Sequence, residues 1–245
     1  MANFKAVILA AGKGTRMKSE LPKVLHTVKG KPMVCYVIEE ARKAGCDEIC
    51  LIVGYKGEEV KTVVSERGMD FITTVTQEEQ LGTGHAVKCA ADFIGNEGDT
   101  LVLCGDTPLI KADTLAKLYK THKENGNGVT VLSAIYEDPF GYGRIIRDSE
   151  GHFMRITEQK DCTEEEKKVQ EINSGMYIFD SAALSRSLKE LKNDNSQGEY
   201  YLTDTLEIIK NYGMKIEAMP AGDKNEIMGV NTLEQLAEAE KYIIG

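Results

Sequence analysis

The stretch Val7-Ile8-Leu9-Ala10-Ala11-Gly12-Lys13-Gly14-Thr15-Arg16-Met17 decides the fold. A short run rich in branched apolar residues reads as a buried parallel strand. Two glycines and a basic pair, Lys13 and Arg16, follow at once. Glycine has no side chain, so a ligand can approach the backbone of such a turn closely. Exposed backbone N–H groups and nearby cations favour phosphate there. The alternative is a tight strand-to-loop turn with solvated lysines. The spacing is not the dinucleotide fingerprint, because position 17 is Met17, and it is not a Walker loop.

Working outward, segment 18–31 is polar and reads as a loop over the turn, with Pro22 fixing the backbone just ahead of Lys23. A helix is predicted over 33–44, with Met33, Val34, Val37, Ile38 and Ala41 on one face and Gly45 ending it. Strand 48–53, helix 58–66 and strand 70–76 complete βαβαβ, which predicts an α/β fold with a doubly wound, mainly parallel sheet. Loop 77–85 holds Gln77, Gly82, Thr83 and Gly84 ahead of a helix over 86–91, a second candidate ligand loop. Gln77 both donates and accepts hydrogen bonds, as reading a base edge requires.

The run 100–104 reads as a central strand ending in Gly105-Asp106-Thr107-Pro108. A carboxylate at that tip faces the crevice where open α/β sheets bind ligands. It suits Mg²⁺, which takes one or two carboxylates plus substrate phosphates, or else it is an Asx-turn aspartate. Beyond it come helix 113–125, strand 129–135, a hairpin around 148–151, a solvated helix over 163–168, and a strand at 171–179. Helix 182–191, edge strand 215–219 and a last helix over 233–242 capped by Thr232 follow.

The chain has 245 residues and a net charge of −9, which argues against general nucleic-acid binding. Residues 1–31 carry seven Lys and Arg against one acid, Glu20, so the remainder carries −15. Positive charge gathered near the first turn suits a small polyanion. The six cysteines form no CxxC pair and read as reduced thiols. No apolar run is long enough to span a bilayer, and residues 1–5 lack a signal peptide's apolar core. A cytoplasmic protein without membrane or nucleic-acid partners is expected, and composition does not fix its oligomeric state.

Taken together, the motifs resemble the sugar-nucleotide pyrophosphorylases. Residues 9–17 followed by Leu21-Pro22-Lys23 match the family signature. Glu79-Gln80-Leu81-Gly82-Thr83-Gly84-His85-Ala86, Gly141-Tyr142-Gly143-Arg144-Ile145, Gln170-Glu171-Ile172-Asn173-Ser174-Gly175 and Gln197-Gly198-Glu199-Tyr200-Tyr201-Leu202-Thr203-Asp204 place the chain nearest the N-acetylglucosamine-1-phosphate uridylyltransferase domains. The resemblance covers essentially the whole chain.

It implies a Rossmann-like, glycosyltransferase-A-type sheet with a small β-rich sugar-binding subdomain. The chain is expected to be one domain, with 1–135 mainly nucleotide-binding, 136–231 mainly sugar-binding and 232–245 a terminal helix. The implied substrates are UTP and N-acetylglucosamine-1-phosphate, for a cell-wall (peptidoglycan) precursor, with Mg²⁺ as cofactor. Leu9, Ala10, Ala11, Gly12, Gln77, Gly82 and Thr83 would hold the uridine. Arg16 and Lys23, with Lys13 nearby, would contact phosphates. Asp106 and Asn231 would ligate Mg²⁺, with Gly105 beside them. Gly143, Glu158 and Asn173 would bind the sugar. Arg16, Lys23 and Asp106 are the expected catalytic residues.

Two departures stand out. Cys104 occupies a position where the family usually has Tyr. Bifunctional relatives continue into a β-helix acetyltransferase, and no such domain is expected in a sequence that stops at Gly245. A nucleotidylyltransferase for another sugar or base, and a non-catalytic nucleotide-sugar binding module, are the competing readings.

Overall fold

The computed structural model describes residues 3–243. In chain order its strands are β1 (Phe4–Ala10), β2 (Thr27–Val28), β3 (Lys31–Pro32), β4 (Glu48–Val53), β5 (Thr73–Thr76), β6 (Asp99–Cys104), β7 (Asn127–Ile135), β8 (Arg144–Arg147), β9 (Phe153–Thr157), β10 (Glu171–Asp180) and β11 (Lys215–Pro220). The helices are α1 (Met33–Lys43), α2 (Gly57–Ser65), α3 (Thr83–Cys89), α4 (Ala91–Ile94), α5 (Ala112–Asn125), α6 (Ser181–Ser187), α7 (Asp204–Asn211) and α8 (Leu233–Tyr242).

The nine-stranded sheet runs β11-β7-β10-β6-β1-β4-β5, with the β8–β9 hairpin attached through β10. β4, β1 and β6 pair in parallel, with Val7 between Cys50 and Val102. β10 runs antiparallel to both β6 and β7, and the β8–β9 hairpin is antiparallel as well. The expected doubly wound, mixed and mainly parallel sheet is therefore present, and strands from both halves of the chain share it.

Period-two alternation sorts the core into two layers. Ala6, Ile8 and Ala10 of β1 face α1, α2 and α5, packing with Val37, Ile38, Val60 and Leu115. Val7 and Ala11 face the other side, where Ala86, Val87, Ile94, Leu184 and Leu206 close over them. Helix α1 buries the five predicted residues and Cys35 as well. Each large apolar side chain so buried is worth about 1.5–3 kcal/mol.

Three local expectations shift. The strand expected over 70–76 begins only at Thr73, because Ile72 N–H donates to Met69 O in a turn and register with β4 starts at Cys50. The helix expected from residue 86 starts at Thr83, since Gly82, at φ 107°, ends the loop three residues earlier. The solvated helix over 163–168 is a short 3-10 turn, Glu166–Lys168. Parallel strands all present their carboxyl ends to one edge, and antiparallel β10 brings its amino end there too. That edge holds the Gly-rich turn after β1, Gln77 after β5, Asp106 after β6 and Asn173 at the start of β10.

Candidate active site

Two clefts open along that edge. One, of about 360 Å³, is lined by Leu9, Ala10, Ala11, Gly12, Lys23, Gln77, Gly82, Thr83 and Asp106, all expected from sequence. The other, of about 220 Å³, includes the expected Gly143, Glu158 and Asn173. Leu9, Thr83 and Cys104 line both and form the seam between them.

The first cleft is built by backbone. A Cβ at Gly12 would meet nothing within 4 Å, so this stretch of chain is open to a ligand. Gly14 adopts φ 65°, and a Cβ there would fall 2.5 Å from the Cβ of Lys23, so the turn brings Lys23 across itself. Gln80 Nε2 donates to Ala11 O at 2.8 Å and ties the two glycine-rich loops together. Gln77 is only 5% exposed. Its amide nitrogen meets Gly82 O at 3.2 Å and His85 Nδ1 at 3.1 Å.

The charged cluster lies at one margin of this cleft. Lys23 Nζ donates to Asp106 Oδ2 and, at 2.9 Å, to Asn231 Oδ1. Arg16 Nη2 donates to the same Asn231 oxygen at 2.8 Å. Asn231 arrives there because Val230 N–H bonds Asp106 O at 2.9 Å and Gln235 of α8 accepts from Asn231 N–H at 2.7 Å. Four residues from three distant stretches of the sequence thus meet. Asp106 and Asn231 direct one carboxylate and one amide oxygen at a single cation, the Lys23 ammonium. Hard oxygen donors of this kind fit Mg²⁺. Among the described residues no three His, Cys, Asp or Glu gather as a protein-only metal site, so further ligands would come from substrate phosphates.

In the second cleft Asn173 is nearly buried and its side chain is engaged by the protein. Its amide nitrogen donates to Tyr177 OH at 2.7 Å, and its oxygen accepts from Gly175 N–H at 3.0 Å. These bonds hold a bulge in β10, where register shifts between Asn173 and Tyr177. Glu158 accepts from Thr203 Oγ1 at 3.3 Å, and burial raises its carboxyl above the usual range. Cys104 donates to Gly175 O at 3.5 Å. Burial, with Asp106 nearby, pushes its thiol up to about 12, which favours the protonated thiol at neutral pH.

Two expected residues lie elsewhere. Lys13 projects over the Tyr55 ring, 5.2 Å from its centre, and is not among the cleft-lining residues. Gly105 lies behind the cleft, its N–H bonded to Leu9 O at 2.9 Å, and a Cβ there would sit 2.9 Å from that oxygen. Conversely, Gln80, Cys104, Tyr177, Glu199 and Thr203 line the clefts without having been assigned a role. The stretch 197–204 carried the signal. Tyr200 N–H bonds Leu81 O, Gly84 N–H bonds Tyr200 O, both at 2.8 Å, and Leu202 N–H bonds Thr83 Oγ1 at 3.1 Å. It is the strap that fixes the second glycine-rich loop.

Comparison with known proteins matches residues 5–226 to the nucleotidyl transferase family. A bifunctional protein GlmU from Caldanaerobacter subterraneus subsp. tengcongensis is 54% identical over 243 residues, 99% of this chain and 52% of that protein. Another from Clostridioides difficile is 50% identical over 98% of the chain and 52% of that protein. The chain spans about half the length of these curated relatives. Among solved structures, a UDP-glucose pyrophosphorylase complexed with UDP-glucose aligns with a TM-score of 0.75 at 22% identity, covering 98% of each chain. A putative glucose-1-phosphate thymidylyltransferase from Bacillus anthracis aligns with a TM-score of 0.77 at 22% identity, covering 99% of this chain and 97% of that one. At that identity the likeness concerns the fold.

Proposed function

The chain belongs to the nucleotidyl transferase family, and from that premise we propose that it joins UTP and N-acetylglucosamine-1-phosphate to give UDP-N-acetylglucosamine and pyrophosphate. The observation that carries this reading is the convergence of Lys23 and Arg16 on the Asp106–Asn231 oxygen pair, at the margin of a cleft that adjoins a second one. Similarity to the bifunctional relatives across essentially the whole chain supports it.

The larger cleft, walled by Leu9–Gly12, Gln77, Gly82 and Thr83, takes the uridine in this proposal, and the smaller takes the sugar. A sugar-phosphate oxygen attacks the α-phosphorus in line and pyrophosphate leaves. A phosphate monoester has its second pKa near ~6, so the nucleophile is already anionic at pH 7 and needs no general base. Repulsion between two polyanions is the obstacle. Lys23 and Arg16 answer it by turning their N–H groups from Asn231 and Asp106 towards phosphate oxygens. Mg²⁺ held by Asp106 and Asn231 would, when bound, supply further neutralisation of phosphate charge. Glu158 accepts sugar hydroxyl hydrogens. Asn173 acts mainly by holding the bulge that shapes the sugar cleft.

The test is pyrophosphate release from UTP with N-acetylglucosamine-1-phosphate, with Mg²⁺ and then with EDTA. Metal-dependent release with this pair, and not with glucose-1-phosphate or with ATP, CTP or GTP, is the expected result. Release only with another pair moves the substrate assignment. Nucleotide-sugar binding without release with any pair overturns the catalytic reading.

A further inference from the structure

We propose that His85 is a positioning residue that makes the nucleotide cleft selective for uracil by fixing which end of the Gln77 amide faces the base. The proposal rests on the uridine reading of the larger cleft and adds to it how the base is told apart from cytosine.

A glutamine amide is ambiguous as a reader, because one end donates and the other accepts. Something must choose the end that faces the ligand. Gly82 O and His85 do so together. Gly82 O is a carbonyl, an acceptor only, and the Gln77 amide nitrogen lies 3.2 Å from it. The reverse orientation would set two oxygens against each other. The same nitrogen lies 3.1 Å from His85 Nδ1. Since the nitrogen of Gln77 is a donor, Nδ1 must be the acceptor, and the neutral imidazole carries its hydrogen on Nε2.

Both N–H groups of Gln77 are then committed inside the protein. Gly82 O also accepts from Ala86 N–H at 3.1 Å, so it is a shared acceptor, and His85 supplies the second constraint that holds the Gln77 amide in this orientation. Gln77 lines the larger cleft, and the oxygen is the end of its amide left to the ligand. An acceptor placed opposite the base's N3 takes the N3–H of uracil. Cytosine presents a lone pair at that position and is repelled. A buried polar group left unpaired by the wrong ligand is what gives such a site its discrimination.

His85 reaches this place because α3 begins at Thr83, directly after the strapped loop. Its ring lies 6.3 Å from that of Tyr200, on the strap itself. Leu81, Lys88, Cys89 and Tyr200 surround its other side in a separate depression outside the substrate clefts. It therefore acts through Gln77 without lining either cleft.

The test compares UTP and CTP, by titration calorimetry and by kcat/KM with the sugar phosphate, in the wild type, His85→Leu and His85→Asn. Leucine removes the acceptor. Asparagine places a carbonyl oxygen near the position of Nδ1 and restores it. The wild type is expected to prefer UTP by at least about 100-fold. His85→Leu should shrink that preference by about 10-fold or more, and His85→Asn should keep it within about 3-fold of wild type. A preference unchanged in His85→Leu overturns the proposal while leaving uridylyl transfer intact. A wild type that binds UTP preferentially but releases no pyrophosphate overturns the reaction and leaves the base reading standing. A wild type that favours CTP overturns both. If His85→Leu does not fold, ¹⁵N NMR of the wild-type imidazole decides: a hydrogen on Nε2 supports the proposal, and one on Nδ1 overturns it.

Discussion

Gly12 and Gly14 sit two residues apart and do different work. A Cβ at Gly12 would point into open space, whereas at Gly14 it would meet Lys23 in a left-handed backbone. Gly12→Ala should therefore unfold at nearly the wild-type temperature but raise the KM for UTP about 10-fold or more, because its methyl takes ligand space. Gly14→Ala should lose about 1–2 kcal/mol of stability from the left-handed conformation alone. At the charged cluster, Arg16→Ala and Asp106→Ala should each lower kcat/KM by about 10²–10³ with folding retained, as for loss of one electrostatic contact to a reacting phosphate. An Asp106→Ala enzyme with near-wild-type turnover would remove Asp106 from the mechanism. These residues were legible because each follows a strand whose apolar run is unmistakable. Gln80 and Glu199 were not, since what places them is a meeting of loops, and no local period records that.

The turn at 163–168 shows how a single element balances its charges. Thr163 and Glu166 cap each other reciprocally, Thr163 N–H to Glu166 Oε2 at 2.9 Å and Glu166 N–H to Thr163 Oγ1 at 3.2 Å. Arg155 on β9 donates to the same carboxylate at 2.7 Å. These donors, the Thr163 N–H foremost, hold Glu166 down at about 2, well below the usual carboxylate range. A depressed carboxylate stabilises the fold above its unfolded pKa and loses that contribution as pH falls towards the folded one. Glu166→Gln should thus cost about 1–2 kcal/mol at pH 7 and progressively less below about pH 4, as read by urea unfolding at several pH values. The acidic-basic run over 163–168 predicted a solvated helix. The pairing of Glu166 with Arg155 ties the turn to β9 instead. Strands β1, β4 and β6 were readable from unbroken apolar runs. The place of β10 between β6 and β7 was not, because its period is the same whichever partner it has.

At the scale of the molecule, the basic bias of residues 1–31 does not become one basic surface. Lys5 is buried at the far end of the sheet, its ammonium on the carbonyls of Phe93 and Ile94. Lys31 pairs with Glu39, and only Arg16 and Lys23 reach the Asp106–Asn231 cluster. Affinity for a polyanion then rests on a few placed groups. Ligand binding should stabilise the whole fold: UTP at 100 times its Kd contributes about 2.7 kcal/mol, and each kcal/mol is worth about 2–4 °C in Tm for a chain of this size. Thermal scans with UTP, with and without Mg²⁺, would check this, and no upward shift at saturating UTP would exclude the larger cleft as a UTP site. Among the described residues no helix is long and apolar enough to cross a membrane.

The strap formed by residue 200 has a consequence for how the protein is made. Translation delivers the chain from its amino end, at about 5–20 residues per second in domains that fold as they emerge. The glycine-rich loops near residues 12 and 82 leave the ribosome long before Tyr200, which bonds Leu81 and Gly84, and before Asn231, which receives Arg16 and Lys23. A nascent chain that has finished β6 holds most of the residues proposed to bind nucleotide and almost none of the geometry. Capacity to bind should appear late and abruptly, when the strap and then Asn231 arrive, so that an unfinished chain does not sequester nucleotide.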